Sequence, residues 1–259
     1  MRLVVKVGSS TLTHKTGNIN LARFDALCRI LSDLANAGHE VVLVSSGAIA
    51  MGVSKLRLCE RPSDIPTKQA AASVGQSELM YMYDKFFSEY GKTVAQILIT
   101  GDDFSHGDRF LNFKNTVNRL LSLSAIPIVN ENDTVSTDEI KVGDNDTLSA
   151  LVAVNVGADL LVLLSDIDGL YTADPHKDET AVLIPHISEI TEEVMTLGGG
   201  AGSSVGTGGM KTKLIAAKIV MNESRCRMVI TSGERPEDLY RIVNGEAVGT
   251  LFEKENDHA

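Results

Sequence analysis

Leu160-Leu161-Val162-Leu163-Leu164-Ser165-Asp166 decides the fold class. Five apolar residues in a row end at a serine and an acid. The run is too short for a helix and lacks the alternation of a half-solvated strand. It reads as a strand buried on both faces, as in a parallel sheet covered by helices. Apolar runs of the same kind recur at residues 3–7, 40–44, 94–99, 126–129 and 228–230. Between them, apolar residues fall at helical spacing: Phe24, Leu27, Leu31 and Leu34 within 21–36, and Ala71, Val74, Leu79, Tyr83 and Phe86 within 67–90. Further helices are predicted at 46–53, 112–122, 145–156, 210–222 and 236–244. Strands alternating with helices predict an α/β chain with a parallel sheet. The polar, alternating residues 135–142 read as a small hairpin.

The chain has 259 residues, 43% of them hydrophobic, which is enough for a sizeable core. Its formal net charge of −10, with no Lys/Arg cluster, argues against nucleic acid or an anionic membrane as partner. Three dispersed cysteines, Cys28, Cys59 and Cys226, fit neither a disulfide framework nor a metal site. They suit a reducing cytoplasm. Met1 runs straight into a strand, without the apolar segment of a signal peptide.

Residues 198–209 hold seven glycines and two serines. Such a run can be a flexible linker. Here Lys211, Thr212 and Lys213 follow in the first turn of a helix, where cations oppose the dipole and call for an anion. Glycines let backbone N–H groups approach phosphate oxygens, so the run reads as a phosphate-binding loop. Lys6 ends the first strand beside Gly8, at the carboxyl edge where open α/β sheets bind ligands. Taken alone it could be a surface lysine. Ser45-Ser46-Gly47 also leaves a strand and enters a helix, and either serine could cap it. Residues 141–150 place two acids, an amide and two hydroxyls around the start of an apolar helix. Asn130-Glu131-Asn132-Asp133 adds a second polar group after a strand. Gly91-Lys92-Thr93 precedes a strand and reads as a turn, not a nucleotide loop. The histidines have no ligand spacing.

Val4-Val5-Lys6-Val7-Gly8-Ser9-Ser10, Val44-Ser45-Ser46-Gly47-Ala48-Ile49, Asn130-Glu131-Asn132-Asp133, Lys141-Val142-Gly143-Asp144-Asn145-Asp146, Leu164-Ser165-Asp166-Ile167-Asp168-Gly169-Leu170-Tyr171 and Gly206-Thr207-Gly208-Gly209-Met210-Lys211-Thr212-Lys213 together resemble the amino acid kinase family. The Asn-Glu-Asn-Asp and Lys-Val-Gly-Asp-Asn-Asp pieces point to the branch acting on glutamate. The resemblance implies a three-layer αβα sandwich with a mainly parallel open sheet. Residues 1–158 would form an amino-acid-binding lobe and 159–259 a nucleotide-binding lobe of one kinase domain. It implies transfer of the γ-phosphoryl group of ATP to the side-chain carboxylate of L-glutamate, the first step of proline synthesis. By resemblance, Lys6, Lys213 and Asp146 are catalytic, with Asp146 holding both lysines. Ser46, Asp133 and Asn145 would bind glutamate. Lys6, Ser165 and Asp166 would hold ATP, together with Thr207, Gly208, Gly209, Met210, Lys211, Thr212 and Lys213. Mg²⁺ would ride on the phosphates, with no protein metal site. Proline is implied as feedback inhibitor and a homo-oligomer as the assembly. Many relatives continue into a PUA-type RNA-binding module; a chain ending at Ala259 is expected to be the kinase-only form. Two alternatives stay open at this stage: another amino acid kinase, such as one for N-acetylglutamate, and a non-catalytic amino-acid or nucleotide sensor.

Overall fold

The computed structural model describes residues 1–14, 18–60, 62–105, 107–136, 145–198 and 209–254. The hairpin expected at 135–142 falls largely outside them, as do Thr207 and Gly208.

Each apolar run is a strand: β1 (Arg2–Val7), β2 (Glu40–Ser45), β3 (Val94–Ile99), β4 (Ile126–Glu131), β5 (Leu160–Ser165) and β7 (Arg227–Ser232), all but β3 buried over most of their length. Two short strands, β6 (His186–Ile187) and β8 (Thr250–Phe252), complete an eight-stranded sheet ordered β3-β4-β2-β1-β5-β7-β8-β6 among the described residues. The pairings from β3 to β7 are parallel. β8 runs antiparallel to β7, and β6 parallel to β8. The sheet is therefore mainly parallel, as expected, with a reversed edge. β1 pairs directly with β5, so the sheet runs on across residue 158.

The helices are α1 (Ser9–Leu12), α2 (Leu21–Asn36), α3 (Ala48–Lys55), α4 (Ile65–Glu89), α5 (Gly107–Ser122), α6 (Asp146–Val156), α7 (Glu192–Leu197), α8 (Met210–Glu223) and α9 (Asp238–Val243), with a 3₁₀ turn at Gly101–Phe104. α4 starts two residues before the expected position, because Asp64 accepts a hydrogen bond from the Thr67 backbone and Pro66 fits the first turn. α2, α3, α4 and α9 cover one face of the sheet, and α5, α6 and α8 the other. Leu3, Val5 and Val7 face the first cluster and Val4 the second. Lys6, in phase with Val4, therefore points toward α6 and α8.

The expected capping of α3 by Ser45 or Ser46 is not what the structure shows. The cap is Gly47, in the left-handed region at φ 110°, with no side-chain cap bond. Ser45 instead bonds the Tyr83 hydroxyl of α4 at 2.7 Å. The sharp turn needs a residue without a Cβ, and that frees both serines for other partners.

α3 and α4 cross with their backbones in contact. A Cβ on Gly75 would lie 1.8 Å from the Ala48 carbonyl oxygen, and one on Gly52 1.8 Å from that of Ala71. Neither neighbour is a flexible side chain. Gly75→Ala should separate the helices and lower the thermal midpoint by several degrees, since overpacking against backbone costs about 1–3 kcal/mol or more and about 1 kcal/mol shifts a chain of this size by roughly 2–4 °C. Gly101→Ala, where nothing lies within 4 Å, should leave the midpoint nearly unchanged. Thermal unfolding followed by circular dichroism separates the two.

Candidate active site

The carboxyl ends of β1, β2, β4 and β5 bring the conspicuous polar residues to one edge of the sheet. Lys6 leaves β1 toward the helix face already noted. Asp146 opens α6, where a carboxylate is favoured by the helix dipole. Lys213 sits in the first turn of α8, on the side facing α6. The three meet: Lys6 Nζ lies 2.5 Å from Asp146 Oδ1, and Lys213 Nζ 3.1 Å from Oδ2. The Thr212 hydroxyl lies 3.1 Å from the same Oδ2. Asp146 is fully buried, and Lys6 and Lys213 are 6% and 4% exposed. The group carries one net positive charge. Its two cations are held apart and aimed by one anion.

Asn145, the residue before Asp146, organises a second group. Its Nδ2 donates to the Ser45 carbonyl at 3.0 Å, to Ser46 Oγ at 3.1 Å and to Asn130 Oδ1 at 2.8 Å. Two protons serve three acceptors, so Ser46 is the partner most easily drawn to a ligand. Asn130 Oδ1 also accepts from the Glu131 backbone, and Asn130 Nδ2 donates to Gln76 Oε1 on α4, both at 2.9 Å. Asp133 lies beside this relay without a direct bond to Ser46 or Asn145. With Glu131, Gln76, Ala48 and Gln96 it lines a cavity of about 220 Å³. Burial first, and the charge of Glu131 second, push the Asp133 carboxyl up to about 7. Its Oδ1, Asn145 Oδ1 and Gln76 Nε2 are buried with no hydrogen-bond partner among the described residues.

The residues expected at the nucleotide form further groups. Ser165 Oγ donates to Asp166 Oδ1 at 3.0 Å, and both line a cavity of about 300 Å³ with Ser10, Thr11, Arg23 and Glu234. Neither is bonded to Lys6 or Lys213. Gly209 is the cap of α8, without a side-chain cap bond; the Thr212 N–H closes back on the Gly209 carbonyl at 3.1 Å, so among the described residues the N–H groups of Met210 and Lys211 stand without a partner at the helix start. Gln76, Asn130 and Glu131 line or organise the pocket; the sequence reading placed Asn130 and Glu131 in a motif without an individual role and did not single out Gln76. Gln76 could have been noticed as a polar residue on the apolar stripe Ala72, Gln76, Leu79 and Tyr83 of α4. Asn130 and Glu131 end a strand that is buried throughout.

A twin-lysine centre around one aspartate, at the carboxyl edge of an αβα sandwich, defines a phosphotransferase-like site. The sequence matches the amino acid kinase family over residues 1–232, and the chain belongs to that family. It is similar to the glutamate 5-kinases of Carboxydothermus hydrogenoformans, at 57% identity over 97% of this chain and 67% of that protein, and of Clostridium acetobutylicum, at 55% over 98% and 95%. The glutamate 5-kinase of Listeria monocytogenes is 54% identical over 97% of this chain and 92% of its own length. Among solved structures, UMP kinase from Bacillus anthracis shares the fold, with a TM-score of 0.65 at 17% identity, covering 98% of this chain and 96% of that one.

Two consequences follow from the charges. Asp146→Asn leaves two buried ammonium groups with their shared anion gone, which should cost about 3–5 kcal/mol of stability. A triphosphate nucleotide should raise the melting temperature of this variant more than that of the wild type, as read by thermal shift. The second consequence concerns the Asp133 carboxyl. Its folded pKa near 7 lies above the unfolded value of about 4. The stability it contributes is complete below about pH 4 and is lost as pH rises to about 7. Asp133→Asn should flatten that slope and stabilise the ligand-free protein at pH 8 by up to about 4 kcal/mol. Denaturant unfolding at pH 5 and pH 8 measures it.

Proposed function

We propose that this chain transfers the γ-phosphoryl group of ATP to the side-chain carboxylate of L-glutamate, as the first step toward proline. The observation that carries the reading is that Asn145 and Asp146 are consecutive. One residue organises the polar pocket, and the next holds the two lysines. An acceptor lying along Asn145 is thereby delivered to the cations.

The chemistry asks little else of the protein. A side-chain carboxylate is already ionised at pH 7 and needs no general base. What remains is in-line positioning and stabilisation of the charge that spreads over the transferred group. Lys6 and Lys213 supply this from two sides, and Asp146 orients them. Ser46, Asn145 and Asp133 bind glutamate, with Asp133 taking its ammonium group. Ser165, Asp166 and the stretch from Thr207 to Lys213 bind ATP. The open start of α8 and the two lysines fit a polyphosphate. Mg²⁺ neutralises phosphate charge when bound. Both oxygens of Asp146 are engaged by cations, which suits an orienting acid better than a metal ligand. In this reading residues 1–158 carry the acceptor and 159–259 the nucleotide. Proline shares the ammonium and α-carboxylate of glutamate, so it competes for the same pocket.

The acid pair Glu131 and Asp133 favours glutamate over N-acetylglutamate, which has no ammonium group to meet it. ADP release should be strong with L-glutamate and at least tenfold weaker with N-acetylglutamate, because a lost buried charge-assisted contact costs about 2–5 kcal/mol. Lys6→Ala and Lys213→Ala should each lower kcat by about 10²–10³ with an unchanged circular dichroism spectrum. Equal rates on both acceptors would remove the glutamate assignment. Near-normal kcat in both lysine variants would overturn the two-lysine mechanism.

A further inference from the structure

The buried relay that ends at Gln76 has a fixed polarity. At one end Asn145 Nδ2 must be the donor, because it faces the Ser45 carbonyl. In the middle Asn130 Oδ1 must be the acceptor, because it receives the Glu131 backbone N–H. Asn130 therefore turns its Nδ2 to Gln76, and Gln76 must answer with Oε1. Two backbone groups thus force Gln76 to leave Nε2 as the free end. That nitrogen is buried, has no partner among the described residues, and belongs to a residue 8% exposed that lines the cavity of Glu131 and Asp133. A buried donor beside two acids is complementary to a group that is negative on one side and positive on the other. The α-carbon end of an amino acid has that form.

We propose that Gln76 is a specificity-determining residue whose Nε2 binds the α-carboxylate of the acceptor while Asp133 takes the neighbouring ammonium. This rests on the amino-acid reading above. The side-chain carboxylate then points along Asn145 to Lys6 and Lys213. Gln76 itself lies one residue from Gly75, so the close crossing of α3 and α4 sets the depth at which it enters the pocket.

The test pairs a change in the protein with a change in the ligand. 4-Aminobutyrate is glutamate without its α-carboxylate. The quantity to compare is the ratio of kcat/KM for L-glutamate to that for 4-aminobutyrate, at pH 8, in wild type, Gln76→Glu and Gln76→Met. Gln76→Glu keeps the acceptor that Asn130 needs and loses the amide donor. Gln76→Met lacks the donor at any pH. The ratio should fall at least tenfold in both variants, with the KM for ATP unchanged. If 4-aminobutyrate is not turned over, its inhibition constant against glutamate gives the same ratio. Equal losses on both ligands, which leave the ratio constant, would mean that Gln76 only supports the fold and would overturn the proposal. Absence of glutamate phosphorylation by the wild type would instead reject the reading on which it rests.

Discussion

One carboxylate shared by two ammonium groups holds this site together. Asp146 is fully buried, and so are its partners in all but a few per cent of their surface. Either lysine loses most of its hydration at that depth, and its ion pair with Asp146 offsets part of that cost. Both together would repel. The aspartate makes the arrangement tolerable, and in the kinase reading proposed above the two lysines would meet the incoming polyphosphate. The requirement also explains two local oddities. A lysine interrupts an apolar strand at Lys6, and another sits at the unfavourable end of α8. Each is placed against its local preference because the anion at the start of α6 outweighs it.

Around that centre the fold supplies rigidity at backbone level. The two glycines of the α3–α4 crossing let the helices touch without side chains between them, and Tyr83 ties α4 to Ser45 at the end of β2. Asn130 and Asn145 then lock the strand ends to the helix by amide bonds of fixed direction. Flexible charged side chains meet at Asp146, and short amides with two rotatable bonds hold the neighbouring pocket. That division suits a reaction governed by placement.

Much of the architecture was legible because buried parallel strands are written as unbroken apolar runs, as at 160–164. β6 and β8, with two and three residues, are too short for any periodicity to register. The cap of α3 was misread because serine is the commoner cap, whereas the turn geometry here demands a glycine. In the site, Lys6, Asp146 and Lys213 were legible as conspicuous charges in the family's motifs. Their meeting is a property of the sheet, which joins positions 140 and 67 residues apart. Gln76 was passed over because a single polar residue on a buried face looks like a defect until its partner is known; Asn130 and Glu131 were seen only as part of a motif.

The buried acid pair has a calorimetric consequence. Burial first, and the charge of Glu131 second, push the Asp133 carboxyl up to about 7. A cationic group settling between the two acids would reverse that shift, and a proton would then leave as such a ligand enters. Below neutrality the heat of binding will therefore contain the ionisation enthalpy of whatever buffer receives that proton. Titrations in phosphate and in Tris would give different apparent enthalpies for one and the same association.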